Sequence, residues 1–109
     1  MAVGLFKNEK VSGASTTGTN IYTVPSGKYA TVHAIHCANR YNLEDLYVSI
    51  EIIDVSTNNF YVAYLLPVSA NMPTVIERPI NLNDSEVLKI TASRADSIDV
   101  VVSVLEFTP

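Results

Sequence analysis

One cysteine, no tryptophan and only seven Lys and Arg among 109 residues narrow what this chain can do. The lone Cys37 excludes an internal disulfide. It stands in an apolar run, where a buried, inert thiol is expected. Lys7, Lys10, Lys28, Arg40, Arg78, Lys89 and Arg94 are scattered, and the net charge is −4. A nucleic-acid footprint needs a basic cluster, so no direct nucleic-acid contact is expected. No apolar run reaches the roughly 18 residues of a membrane span, so no membrane partner is expected either. Met1–Lys10 lacks the apolar core and cleavage site of a signal peptide, which points to synthesis in a cytosol. Charged residues make up 17% of the chain, below the roughly 25% of ordinary soluble domains. Its hydrophobic share of 48% still suffices for a fold. The surface must therefore be rich in Ser, Thr, Asn and Tyr, a composition suited to protein contacts.

The signatures of catalysis and of cofactor binding are missing as well. There is no Gly-x-Ser-x-Gly elbow and no glycine-rich phosphate loop. His33 and His36 have odd spacing, which on a regular strand sends them to opposite faces. His33 and Cys37 share a face, but four residues at about 3.3 Å each separate them by roughly 13 Å, too far for one zinc ion. The acid pairs Glu44/Asp45 and Asp96/Asp99 flank turns, where carboxylates usually cap the backbone. Asn81, Asn83, Asp84 and Glu86 gather oxygen ligands at a turn without the spacing of an EF-hand loop. No enzyme, cofactor or metal is expected.

What is present is a succession of strands and turns. Strands are expected over Ile21–Val24, Lys28–Asn39, Asp45–Asp54, Phe60–Leu66, Thr74–Glu77, Glu86–Ala92 and Ile98–Phe107. Pro25–Gly27, Ser56–Asn59 and Asn81–Ser85 supply turns, and Pro79 marks a break or an edge. Leu46, Val48, Ile50 and Ile52 alternate with Tyr47, Ser49 and Glu51, the period of a half-buried strand. No window carries helical periodicity. The expected fold is an all-β, antiparallel two-sheet sandwich, jelly-roll or Ig-like, of seven or eight strands. Its core should include Val32, Ile35, Val48, Ile50, Val62, Tyr64, Leu88, Ile90, Val100, Val102 and Val104. One domain is expected over residues 20–109, preceded by an extended arm over residues 1–19. Ser12–Thr19 holds no large side chain and reads as a linker. Val3, Leu5 and Phe6 ahead of it are either a frayed end or an anchor docked on a neighbour.

Two strands are apolar on both faces, Phe60–Leu66 and Ile98–Phe107. In a two-sheet domain the outer face of a strand normally meets water. Here it would carry Tyr61, Ala63 and Leu65, then Val101, Leu105 and Phe107. Another subunit is the expected cover. The candidate interface residues are therefore Leu5, Phe6, Tyr61, Leu65, Val101, Leu105 and Phe107. Tyr41, Tyr47 and Tyr61 could alternatively line a glycan groove. Tyrosine suits protein interfaces better, because a large ring is joined to a polar tip.

Ile21-Tyr22-Thr23-Val24-Pro25-Ser26-Gly27-Lys28-Tyr29-Ala30-Thr31-Val32 resembles the opening strand–turn–strand of small virion proteins of tailed bacteriophages. The likeness continues through a long strand ending at Asn39 and the Ile52-Ile53-Asp54 step. It then takes in Leu88–Ser93 and the closing strand Ser97–Glu106, so that it covers about residues 20–107. It implies a non-enzymatic structural component of a virion, made in the bacterial host cytoplasm. The first expectation is a capsid decoration or cement protein; neck, collar or fibre attachment is the second, and a carbohydrate- or receptor-binding module the third. The expected partners are major capsid or neck and tail proteins and further copies of the same chain.

Overall fold

The computed structural model describes residues 3–109, which form nine strands: β1 (Val3–Val11), β2 (Thr19–Thr23), β3 (Tyr29–Asn39), β4 (Leu46–Ile53), β5 (Asn59–Val68), β6 (Thr74–Ile76), β7 (Ile80–Leu82), β8 (Val87–Ala92) and β9 (Ile98–Thr108). All pairings are antiparallel. The first sheet runs β1-β9-β3-β6 with β7 also on β3, and the second runs β2-β8-β4-β5. β6 and β7 are two pieces of one edge strand. They meet β3 at Ile35–Cys37 and at Ala30–Val32, and the gap between them contains Pro79. Counted so, eight strands divide four and four between two facing sheets, and the chain changes sheet at every step except the β4–β5 hairpin, as in a jelly roll.

Local chemistry explains the turns. At Pro25–Lys28 the Lys28 N–H donates to the Pro25 carbonyl while Gly27 takes φ 79°, the left-handed position that a type II turn reserves for glycine. In the β4–β5 hairpin the Asp54 carboxylate accepts from the Ser56 and Asn58 N–H groups. Thr57 closes that turn at φ 65°.

The core lies between the sheets, with Ile35, Ile50, Leu82, Leu88, Ile90 and Ile98 its largest fully buried side chains. Every expected core residue is buried except Val62 and Tyr64, which are exposed. The cause is a pair of β-bulges. The β4–β5 register slips between Val48 and Ile50 and again between Ile50 and Glu51. A slip of one residue exchanges the faces of a strand. As a result Ala63 and Leu66 pack on the core while Val62 and Tyr64 turn out.

A bulge between Val32 and Ala34 does the reverse for β3. Val32 and Ile35, which simple alternation would separate, both point inward. His33 and His36 are both exposed rather than divided between faces, and Cys37 is buried apart from His33. Burial pushes the Cys37 thiol up to about 11, which keeps it protonated and unreactive.

The expected arm takes a different place. Met1, Ala2 and the Val3 side chain lie outside the described residues. Val3–Val11 is the outer strand of the first sheet, paired in register with β9 of its own chain from Val3↔Thr108 to Val11↔Val100. Ser12–Gly18 then crosses the end of the sandwich to the second sheet, and its small residues serve that crossing. Ala14 is fully buried and donates its N–H to the Ile98 carbonyl, while the Ser15 carbonyl accepts from Ala92. Gly13, at φ 70°, donates to Asp99 Oδ1. A Cβ there would come within 2.8 Å of the Asp96 Cα. The segment that composition marks as a loose linker is a tight seam.

Candidate protein interface

Two apolar surfaces without a partner lie on different sheets. On the outer face of the first sheet, Phe6 stands opposite Leu105, and Leu105 opposite Thr31. One pair further along, Gly4 faces Phe107, which faces Tyr29. Phe6, at 77% exposure, and the half-exposed Tyr29 flank the partly covered Leu105 and Phe107. Gly4 makes room for these side chains: a Cβ there would sit 3.3 Å from Leu105 Cδ1. Val101 is exposed on the same face but lies outside the cluster, between Lys10 and His36. Leu5 stands opposite the inward-facing Glu106, and yet it remains exposed at the rim.

The second surface is β5, the edge of the second sheet. Phe60, Tyr61, Val62, Tyr64 and Leu65 are all exposed there. The bulges bring Tyr61 and Tyr64 together, with ring centroids 4.9 Å apart at 72°, an edge-to-face pair. Leu65 sits at φ 52° and donates its N–H to Ser49 Oγ. Left-handed backbone at a bulky residue is costly.

The seven candidate residues therefore divide. Phe6, Leu105 and Phe107 meet on one sheet, Tyr61 and Leu65 share the other, and Leu5 and Val101 stand apart. Tyr29, Phe60, Val62 and Tyr64 were missed. A signal for β5 does exist in the sequence: Val55–Ile76 contains no charged side chain. Of fourteen exposed large apolar side chains among the described residues, eight fall in that run. Of the tyrosines considered for a glycan groove, Tyr41 has one face covered by the Arg94 guanidinium at 3.9 Å.

A buried polar cluster fastens β1. Glu106, only 3% exposed, accepts a 2.6 Å hydrogen bond from the Tyr22 hydroxyl. Lys7 Nζ lies 3.2 Å from the same carboxylate and 3.3 Å from Glu9, and Lys28 Nζ approaches to 3.9 Å. Burial works to raise the Glu106 pKa, but the bonds from Tyr22 and Lys7, with the two lysine charges, outweigh it and hold the carboxyl below its usual range. Its bond to Glu106 correspondingly raises the Lys7 pKa. Desolvation, with the adjoining carboxylate, pushes the Tyr22 hydroxyl far up.

Asp45, Asp84 and Asp99, among the acids considered for chemistry, are engaged in the fold. Asp99 pairs with Arg40 Nε at 3.0 Å, Asp45 accepts from the Ala70 N–H, and Asp84 accepts from Gly27 and Ser85. A shallow cavity of about 250 Å³ is lined by Ala38, Asn39, Ala70, Asn71, Met72 and Pro73, with no titratable side chain. Among the described residues no group of three His, Cys, Asp or Glu is placed to hold a metal ion.

No protein-family model matches the chain, and no curated protein matches it in sequence. Solved structures do share its fold. A chain of the Bacillus endospore appendages, a family of disulfide-linked pili, aligns with TM-score 0.60 at 13% identity, over 98% of this chain and 88% of that one. A chain from the acid-stable capsid structure of Helicobacter pylori bacteriophage KHP30 aligns with TM-score 0.57 at 19% identity, over 100% and 94%. The subviral particle of infectious bursal disease virus aligns with TM-score 0.55 at 8% identity, over 99% of this chain but 36% of that one. At these identities the likeness is one of fold.

Proposed function

We propose that the protein is a non-enzymatic structural subunit of a tailed-phage particle, acting as a capsid decoration or cement protein. One observation carries the reading: two separate apolar surfaces, around Phe6 and Phe107 on one sheet and along β5 on the other. A chain with one such patch can pair once. A chain with two can join neighbours on two sides, as a lattice or cement requires. The capsid and pilus chains that share the fold support an assembly role, and the phage-like segments from Ile21 to Glu106 support the particle. The partners under this reading are capsid proteins and further copies of this chain. Neck, collar or fibre attachment uses the same surfaces at a different place.

Electron microscopy of particles carrying an epitope-tagged copy separates these readings. Regular label over the shell is the expected result. Label at the neck alone would replace decoration by neck or collar attachment. Particles without the chain would overturn the proposal. Sugar-dependent binding of the chain to host cells, with none to particles, would favour the receptor-binding alternative.

A further inference from the structure

We propose that β5 is a self-association surface: two copies of this chain pack β5 against β5 about a two-fold axis. The occupant follows from charge and area. Val55–Ile76 has no charged side chain in a molecule of net charge −4. Like charges brought together across a contact between identical copies are unfavourable. A two-fold contact at β5 brings none.

The area is sufficient. Phe60, Tyr61 and Tyr64 are each more than half exposed. At roughly 150–250 Å² per aromatic side chain, they leave on the order of 300–400 Å² open on each copy. Doubled by symmetry and extended by Val62, Leu65 and the strand backbone, the contact reaches the roughly 1,000 Å² of a specific interface.

The conformation of β5 points the same way. Edge strands in monomers are usually blunted by charge, proline or a short length. β2 has five residues, β6 and β7 three each, and β1 carries Lys7, Glu9 and Lys10. β5 has ten residues, no charge, and Pro67 only near its far end. Its bulges interrupt continuous strand pairing, so the contact is made by side chains. These same bulges aim Val62, Tyr64 and Leu65 outward. Leu65 holds a left-handed backbone that glycine would take at less cost, an outlier of the kind found at functional surfaces. Particle location is a separate matter: a chain that dimerises through β5 but is missing from particles keeps this inference and loses the preceding one.

Sedimentation equilibrium of the full chain is the test, with Val62→Lys and Tyr64→Lys beside it. All these side chains are exposed, and circular dichroism checks that the fold is kept. The expected result is a dimer that each lysine weakens by at least roughly tenfold, the scale of a central contact residue. Single cysteines placed in turn at Tyr61, Val62, Tyr64 and Leu65 test the symmetry, since near a two-fold axis a residue meets its own counterpart. At least one should give a disulfide-linked dimer, with the buried Cys37 out of reach. A monomer at every concentration overturns the proposal. So does an oligomer indifferent to both lysines, or one in which no identical positions cross-link.

Discussion

β1 and β5 are the two long edge strands of this molecule, nine and ten residues in length. Each lies beside a strand that bears a buried glutamate. Beyond that they differ. Glu106, next to β1, gathers Tyr22, Lys7 and Lys28, and so fastens the edge strand to the opposite sheet. Glu51, next to β5 and 6% exposed, receives one side-chain bond, at 2.7 Å from Asn59 Nδ2 at the start of that strand. β1 carries Lys7, Glu9 and Lys10 and closes on its own domain. β5 has no charge, bulges twice and leaves its rings in water. The contrast teaches that an edge can be used in two ways: one edge completes the fold, while the other remains available to a partner.

The largest test of that contrast removes β1. Deleting residues 1–12 strips nine residue pairs from β9 and uncovers Glu106. We expect a loss of several kcal/mol, on the scale of the most severe single-site changes, read as a lower midpoint in urea unfolding. An unchanged midpoint would return residues 1–12 to the status of a dispensable arm.

Next, the two glutamates can be compared directly. Glu106→Ala leaves the Tyr22 hydroxyl without its partner and Lys7 without its nearest buried charge. A cost of about 2–4 kcal/mol is expected. Glu51→Ala removes one hydrogen bond and should cost about 1 kcal/mol. Thermal melts of both variants check the ranking, and equal losses would show that β1 is not specially fastened.

The same cluster sets a pH dependence. The Glu106 pKa is lowered in the folded state, so its contribution is fully present above the unfolded glutamate value, about 4.3. It is lost as pH falls through the lower folded value. The Lys7 pKa is raised, so its share is present below about 10.4 and fades as pH rises through the folded value. Hydrogen-exchange protection, corrected for the intrinsic amide rate at each pH, should therefore fall in β1 before β5 as acid is added. In Glu106→Gln that acid sensitivity should be flattened. Simultaneous release of both strands would detach the effect from Glu106.

The smallest effect is expected at the entrance to β5. Thr57 stands at φ 65°, and Thr57→Gly should stabilise the chain by about 0.5–1 kcal/mol by relieving left-handed strain. A lower melting temperature would mean that the 2.6 Å bond from the Thr57 hydroxyl to the Ser56 carbonyl outweighs the backbone strain.

Period-two alternation in Leu46–Ile53 and Ile98–Thr108 was enough to place those strands and their inward residues, because side-chain direction on a regular strand is fixed by geometry. It failed on β5 and β3, where single-residue bulges exchange faces and no local residue announces them. The candidate interface was legible as an excess of apolar residues, and Phe6, Tyr61, Leu65, Leu105 and Phe107 all lie on its two surfaces. Their grouping was not, since Gly4–Phe107–Tyr29 and Phe6–Leu105–Thr31 are rows across strands far apart in the chain.

The sequence by itself determined the all-β class, the turns at Pro25–Gly27 and Ser56–Asn59, the buried thiol of Cys37 and most of the core, because each follows from the chemistry of near neighbours. Only the tertiary structure decided that Val3–Val11 completes its own sheet. That choice depends on a partner strand at the opposite end of the chain and on a carboxylate, Glu106, whose three ligands come from Lys7, Tyr22 and Lys28. It also decided that Ala14 belongs to the core. A methyl group is too small to signal burial in a sequence, and it becomes a core residue only when two sheets close over it.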